Sequence, residues 1–146
     1  MCITIAKNEK IFVSACLAGV NCKYDGGNNE NDKVMELIRN GNAILVCPEQ
    51  LGGLPTPRVS AERLNEIVVT KDNRDVTEEY SRGANEVLRL AKELNIKKAI
   101  LKSRSPSCGK DKIYDGTFSH ILTDRDGVTA ELLRKNGIEI YTEEDL

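Results

Sequence analysis

The feature that most restricts this chain is the alternation of short apolar runs with stretches of helical periodicity. Ile11-Phe12-Val13-Ser14-Ala15, Ala43-Ile44-Leu45-Val46, the segment 98–102 and Ile138-Glu139-Ile140-Tyr141 are each four or five residues long and predominantly apolar. Runs of that length without polar alternation read as strands buried on both faces, and such strands belong to parallel sheets with crossover helices. The intervening segments supply those helices. In 31–40, Val34, Leu37 and Ile38 fall at i, i+3, i+4, with Gly41 where a helix end favours it. Thr77 can N-cap a long helix to about Leu94, with Tyr80, Ala84, Val87, Leu88, Ala91 and Leu94 as its apolar stripe. Val128 to Asn136 forms a last helix, ended by Gly137. The expectation is an α/β fold: a compact Rossmann-like domain with about four parallel strands flanked by helices.

Between 48 and 75 the pattern changes. Pro48, Gly52, Gly53, Pro55 and Pro57 argue against a regular helix through 48–58. Arg63 to Thr70, with a partner near Asp75-Val76, reads as a small antiparallel excursion within 59–76 that turns around Asp72-Asn73. This part of the chain is expected to be an active-site lid or insertion. With 146 residues, no repeats and no linker, the chain is read as one domain, 1–146.

Composition excludes several partners. A net charge of −2, two Phe, four Tyr and no Trp give neither a basic footprint nor a stacking platform for polymeric nucleic acid. No apolar run approaches the roughly 18 residues a membrane span needs. Met1 to Lys10 carries no secretory apolar region, so a cytoplasmic location is expected. Five cysteines in a reducing compartment point to metal ligands or reactive thiols rather than disulfides.

Their placement sharpens that reading. Cys16 and Cys47 directly follow the first two strands, and Cys108 follows the third through the loop 102–107. In an open parallel sheet, ligands collect outside the carboxyl ends of the strands, so three thiols are expected to face one crevice. Three thiolates around one point make a metal site with a coordination position left for a substrate. No C-x2-C pair occurs, which argues against a zinc ribbon and a thioredoxin-type redox pair. The bland alternative is packing, since cysteine is among the most buried residue types. Cys22, in a polar Gly-rich loop, is a fourth ligand, a spectator thiol or a loop residue. Cys2 is read as having no role.

Glu49, two residues beyond Cys47 in a Pro- and Gly-held loop, is the best general-base candidate; the competing reading is a solvated loop acid. Arg58 and Arg104 are candidate binders of an anion or carbonyl. The loop Ser103-Arg104-Ser105-Pro106-Ser107 offers hydroxyls and backbone N–H groups that either serve a cluster and substrate or satisfy the turn. The single histidine, His120, cannot support a Ser-His-Asp arrangement unaided.

The segments Ser14 to Gly26, Cys47-Pro48-Glu49-Gln50-Leu51-Gly52-Gly53-Leu54 through Pro57-Arg58, and Ser103 to Gly109 resemble the signatures of the thiouracil desulfidase family. The resemblance covers nearly the whole chain. It implies a [4Fe-4S] cluster held by Cys16, Cys47 and Cys108 with one iron free, and desulfuration without net redox change. The substrate's thiocarbonyl sulfur would bind the free iron, a Lewis acid, while Glu49 activates water for attack on the carbon. 2-Thiouracil, a small thiolated base, would yield uracil and sulfide. Ser103 matches the family serine proposed to assist proton transfer or position the substrate. Tyr24 and Asp25, within the first signature, join Arg58 and Arg104 as candidate substrate-binding residues. Cys22 is expected not to ligate. The competing functions are an iron–sulfur module that carries electrons or sulfur without hydrolysis, which would close all four irons with protein ligands, and a metal-free thiol enzyme using Cys47 with Glu49.

Overall fold

The computed structural model of the chain describes residues 3–146, so Cys2 lies outside it. Its centre is a four-stranded, all-parallel sheet of β1 (Ile11–Ser14), β2 (Ala43–Val46), β5 (Lys98–Leu101) and β8 (Glu139–Thr142), in the order β2-β1-β5-β8. β1 is central and every one of its residues is buried. Successive side chains of a strand point to opposite faces. Ile11 and Val13 therefore pack on one face with Leu17, Val34 and Ile100, while Phe12 packs on the other with Val87, Ala91, Leu101 and Leu133. Each such side chain, taken wholly out of water, stabilises the fold by roughly 1.5–3 kcal/mol.

The helices that cover these faces follow from local chemistry. α1 (Asp32–Arg39) lies on the Ile11/Val13 face and begins at Asn31, whose side-chain oxygen accepts from the backbone N–H of Lys33 at 3.0 Å and of Val34 at 3.2 Å. α3 (Thr77–Glu93) and α4 (Val128–Lys135) cover the opposite face. Among the described residues, no helix is long and apolar enough to cross a membrane.

The region 48–76 departs from expectation in three places. A single helical turn, α2 (Pro48–Leu51), forms directly after β2. Proline is tolerated at a first helical position because its missing N–H would be unpaired there anyway, and the chain leaves the turn through Gly52 and Gly53. The antiparallel excursion exists as β3 (Ala61–Leu64) paired with β4 (Ile67–Thr70), with an unexpected reversal at Asn65-Glu66. Asn65 takes the left-handed conformation, φ 55°, that a tight hairpin turn needs. The chain reverses again at Asp72-Asn73 as expected, where Val69 bridges Asp75 and the Val76 N–H donates to the Val68 carbonyl at 2.9 Å. Thr77 is not the cap of α3 but its first residue. Its N–H is held by the Asp75 carboxylate at 2.9 Å, and its hydroxyl accepts from the Val68 N–H at 2.9 Å, which ties the helix to the hairpin.

A second hairpin, β6 (Lys112–Tyr114) with β7 (Leu122–Asp124), has no counterpart in the sequence reading. Its strands are three residues long, too short for a period of two to register. The buried Arg63 guanidinium braces the first hairpin against α4 through the Asp126 carbonyl at 2.9 Å and the Glu131 carboxylate at 3.1 Å.

Candidate active site

Because the four central strands are parallel, their carboxyl ends share one edge, and the chain leaving each of them builds the same wall. β1 runs into a 3-10 turn, Ala15–Ala18, that carries Cys16. β2 runs into Cys47, the cap of α2, and α2 carries Glu49 in its first turn. β5 leads through Lys102 and Ser103 to Cys108, and β8 leads to Glu143. These groups surround a cavity of about 650 Å³. Cys16, Cys47 and Cys108 all line it, as do Glu49, Ser103, Tyr24, Arg58 and Arg104. Asp25 does not. Its carboxylate accepts from the Gly27 N–H at 2.9 Å and faces Lys23 at 3.8 Å, so it closes its own turn instead of reaching the cavity.

All four described cysteines are free thiols. Cys22 is buried, lines the cavity and hydrogen-bonds Cys47. That bond is the largest influence on both, lowering Cys47 and raising Cys22. Burial raises Cys16, partly offset by a hydrogen bond from the Asn29 side chain. Cys108 is likewise pushed up by burial and by the Glu49 charge, against a hydrogen bond from Ser14. Thiols raised by apolar burial ionise when a cation is there to bind them. Among the described residues, no three His, Cys, Asp or Glu side chains converge closely enough to hold a single metal ion.

Glu49 is nearly enclosed, with 13% of its side chain exposed, and burial raises its pKa although Arg58 opposes the shift. Arg58 Nη2 stands 3.8 Å from the Glu49 carboxylate. The guanidinium is anchored elsewhere, to the carbonyls of Pro55 at 3.2 Å and Cys22 at 3.1 Å and to Thr56 Oγ1 at 3.1 Å. Arg58 thus fixes the loop carrying Cys22 against the loop after α2, and it holds a charge beside Glu49. Arg104, with φ 63°, pairs with Glu144 at 3.5 Å on the rim. Tyr24 is 44% exposed at the mouth.

α2 owes its position to two glycines. A Cβ on Gly83 of α3 would lie 2.0 Å from the Pro48 carbonyl oxygen, and one on Gly52 would lie 1.9 Å from that of Glu79. Only hydrogen at both positions lets the backbones meet this closely, and α2 carries Glu49 and adjoins Cys47. The Cys108 loop is braced in the same way, since a Cβ on Gly127 would meet Ser107 at 2.5 Å.

Sequence reasoning missed Lys102, Glu143 and the aromatic wall. Ser103 donates to Glu143 through both its N–H and its hydroxyl, each at 2.8 Å, and Lys102 pairs with Glu143 at 3.0 Å. Glu143 directly follows the fourth strand, so the strand-end argument that found the cysteines could have found it too. Tyr114, Phe118 and His120 of the second hairpin also line the cavity, and Tyr114 meets His120 edge to face at 6.3 Å.

Comparison with known proteins agrees with this geometry. The profile of the family described as 2-thiouracil desulfurase matches residues 11–145. The chain is 41% identical over 146 residues to the uncharacterized protein YbbK of Bacillus subtilis (strain 168), covering 93% of this chain and 97% of that one. Its fold is similar to the solved structure of the [4Fe-4S]-dependent thiouracil desulfidase TudS, with a TM-score of 0.91 and 45% identity over 95% of this chain and 93% of that one. A family match over nearly the whole length, around a cavity lined by the three cysteines, identifies the chain as a member of the 2-thiouracil desulfurase family.

Proposed function

We propose that residues 1–146 form a single desulfidase domain that removes sulfur from a thiolated nucleobase, converting 2-thiouracil and water to uracil and sulfide with a [4Fe-4S] cluster. The observation that carries this reading is the common cavity of Cys16, Cys47 and Cys108 with the enclosed Glu49 carboxylate beside them. The donor set fits the group. Three free thiols from separate segments suit a cluster in which each thiolate binds a different iron, better than a single ion on which all ligands must converge. In this reading Cys22, hydrogen-bonded to Cys47, is a neighbouring thiol and not a fourth ligand. Cys16, Cys47 and Cys108 would hold the cluster, which would supply an open Lewis-acidic iron for a thiocarbonyl sulfur.

The remaining work falls to the chain. Glu49, with its raised pKa, takes a proton from a water and directs it at the carbon bearing sulfur. Arg58 holds the opposing charge 3.8 Å away and works against the upward shift that burial imposes on Glu49. Ser103 meets the substrate at the wall opposite, and Tyr24 and Arg104 stand at the mouth. The small cavity admits a single base rather than a polymer, and an enzyme that depends on free thiols belongs in a reducing compartment such as the cytoplasm.

One observation favours a second reading. Cys22 lines the same cavity, and if it bound the fourth iron the protein would carry electrons or sulfur without hydrolysis. Anaerobic reconstitution with iron and sulfide, followed by 2-thiouracil, separates the two. Uracil and sulfide in equal amounts support the desulfidase; a loaded cluster without product supports the carrier.

A further inference from the structure

Glu143 ties two strand ends of the cavity wall together. Leu101 of β5 and Thr142 of β8 are paired in register, so the residues that follow them, Lys102-Ser103 and Glu143, come abreast at the strand ends. Glu143 Oε1 accepts the Ser103 backbone N–H at 2.8 Å, and Oε2 accepts the Ser103 hydroxyl at 2.8 Å. The Lys102 ammonium donates to Ser103 Oγ and to the Ser103 carbonyl, both at 3.1 Å, and contacts Glu143 Oε2 at 3.0 Å. Its three donors are therefore all used.

A serine hydroxyl has one proton and two acceptor lone pairs. Here the hydroxyl donates its proton to the Glu143 carboxylate and one lone pair accepts from Lys102, so a single lone pair remains. Ser103 lines the cavity, and the only hydrogen bond it has left to offer there is as an acceptor. Although burial pushes Glu143 up, the hydrogen bonds from Ser103 and Lys102 hold its carboxyl below the ordinary value, so it remains the acceptor of the pair.

We infer that Glu143, with Lys102, is a positioning residue that fixes Ser103 as a hydrogen-bond acceptor, so that the site selects thiolated heterocycles carrying an N–H beside the thiocarbonyl carbon. The inference rests on the proposed desulfidase reading and deepens it. Ser103 then orients the substrate ring instead of giving it a proton. Heterocycles alkylated on both nitrogens that flank the thiocarbonyl leave the Ser103 lone pair unpaired, and an unpaired buried polar group weakens binding by about tenfold or more.

The test compares 2-thiouracil with 1,3-dimethyl-2-thiouracil on the anaerobically reconstituted full chain, by kcat/KM and by equilibrium dialysis. The wild type should prefer the N–H compound about tenfold or more in both measures. In Glu143→Gln the fixed Ser103 N–H demands the amide oxygen, so the amide NH2 faces Ser103 Oγ and turns the hydroxyl proton toward the cavity. The preference should then fall to within about threefold, while Glu143→Asp, which keeps a carboxylate, should restore it. A merely structural role for Glu143 would weaken both ligands alike and leave the ratio intact. An unchanged ratio in Glu143→Gln, or no preference in the wild type, overturns the inference. If neither compound is turned over, the desulfidase reading fails while dialysis still decides the role of Glu143.

Discussion

Gly83→Ala should damage the active site from a helix that carries none of its reacting groups. The added Cβ would sit 2.0 Å from the Pro48 carbonyl oxygen and 2.8 Å from its carbon, whereas ordinary contact begins at 3.4 Å, so α2 must retreat from α3 by about 1.4 Å. The obstacle is backbone, which cannot rotate aside. Alanine improves helix propensity over glycine by about 1 kcal/mol, while forced overpacking costs about 1–3 kcal/mol; the net loss of stability is therefore modest, about 0–2 kcal/mol, and the protein folds. The displaced turn, however, carries Glu49 and follows Cys47. A misplacement of roughly 1 Å in reacting groups can cost about 10²-fold in rate. Thermal unfolding and steady-state desulfuration of the same preparation should thus diverge, with a small shift in Tm and a fall in kcat/KM of about two orders of magnitude. Gly83→Ala enzyme with activity within about threefold of wild type would refute the claim that the Gly52/Gly83 contact sets the active-site geometry.

Three further outcomes are expected. Cys16→Ser, Cys47→Ser and Cys108→Ser should each lose the visible absorption of the reconstituted cluster while Cys22→Ser keeps it, and retention in any of the first three would break the ligand assignment. Glu49→Gln should hold iron as the wild type does but lose about 10²–10⁴ in kcat, and an active variant would remove its role as base. Glu143 contributes stability that is present above its unfolded pKa, 4.5, and lost as pH falls through its lower folded value. Denaturant titrations between neutral pH and pH below 4.5 should accordingly show a shallower acid loss in Glu143→Gln than in wild type, and parallel curves would contradict the pairing.

What could be read in the sequence was whatever a single segment carries within itself. β1 and β2 are short and almost wholly apolar between turn residues, so their type and parallel pairing followed without tertiary information, and Cys16 and Cys47 were placed by the strands they end. Glu49 needed only its neighbour. Contacts set by register or by chain reversal were hidden. Glu143 meets Ser103 because Leu101 pairs with Thr142 across 40 residues of chain, a fact no local pattern encodes. Asp25, singled out by its motif, stands outside the cavity lining, and its carboxylate accepts the Gly27 N–H of its own turn. The reversal at Asn65 lay inside a run that reads as one continuous strand, and β6 and β7 were below the length at which alternation can be seen.

In the proposed desulfidase, Cys16, Cys47 and Cys108 hold a cluster whose remaining iron is left for the substrate. Mössbauer spectroscopy of protein reconstituted anaerobically with iron-57, recorded before and after adding 2-thiouracil, distinguishes the irons. One iron should differ from the other three, and its signal alone should shift when the sulfur compound binds. Four irons with closed thiolate ligation that ignore 2-thiouracil, or a chain that takes up no cluster at all, would rule this arrangement out.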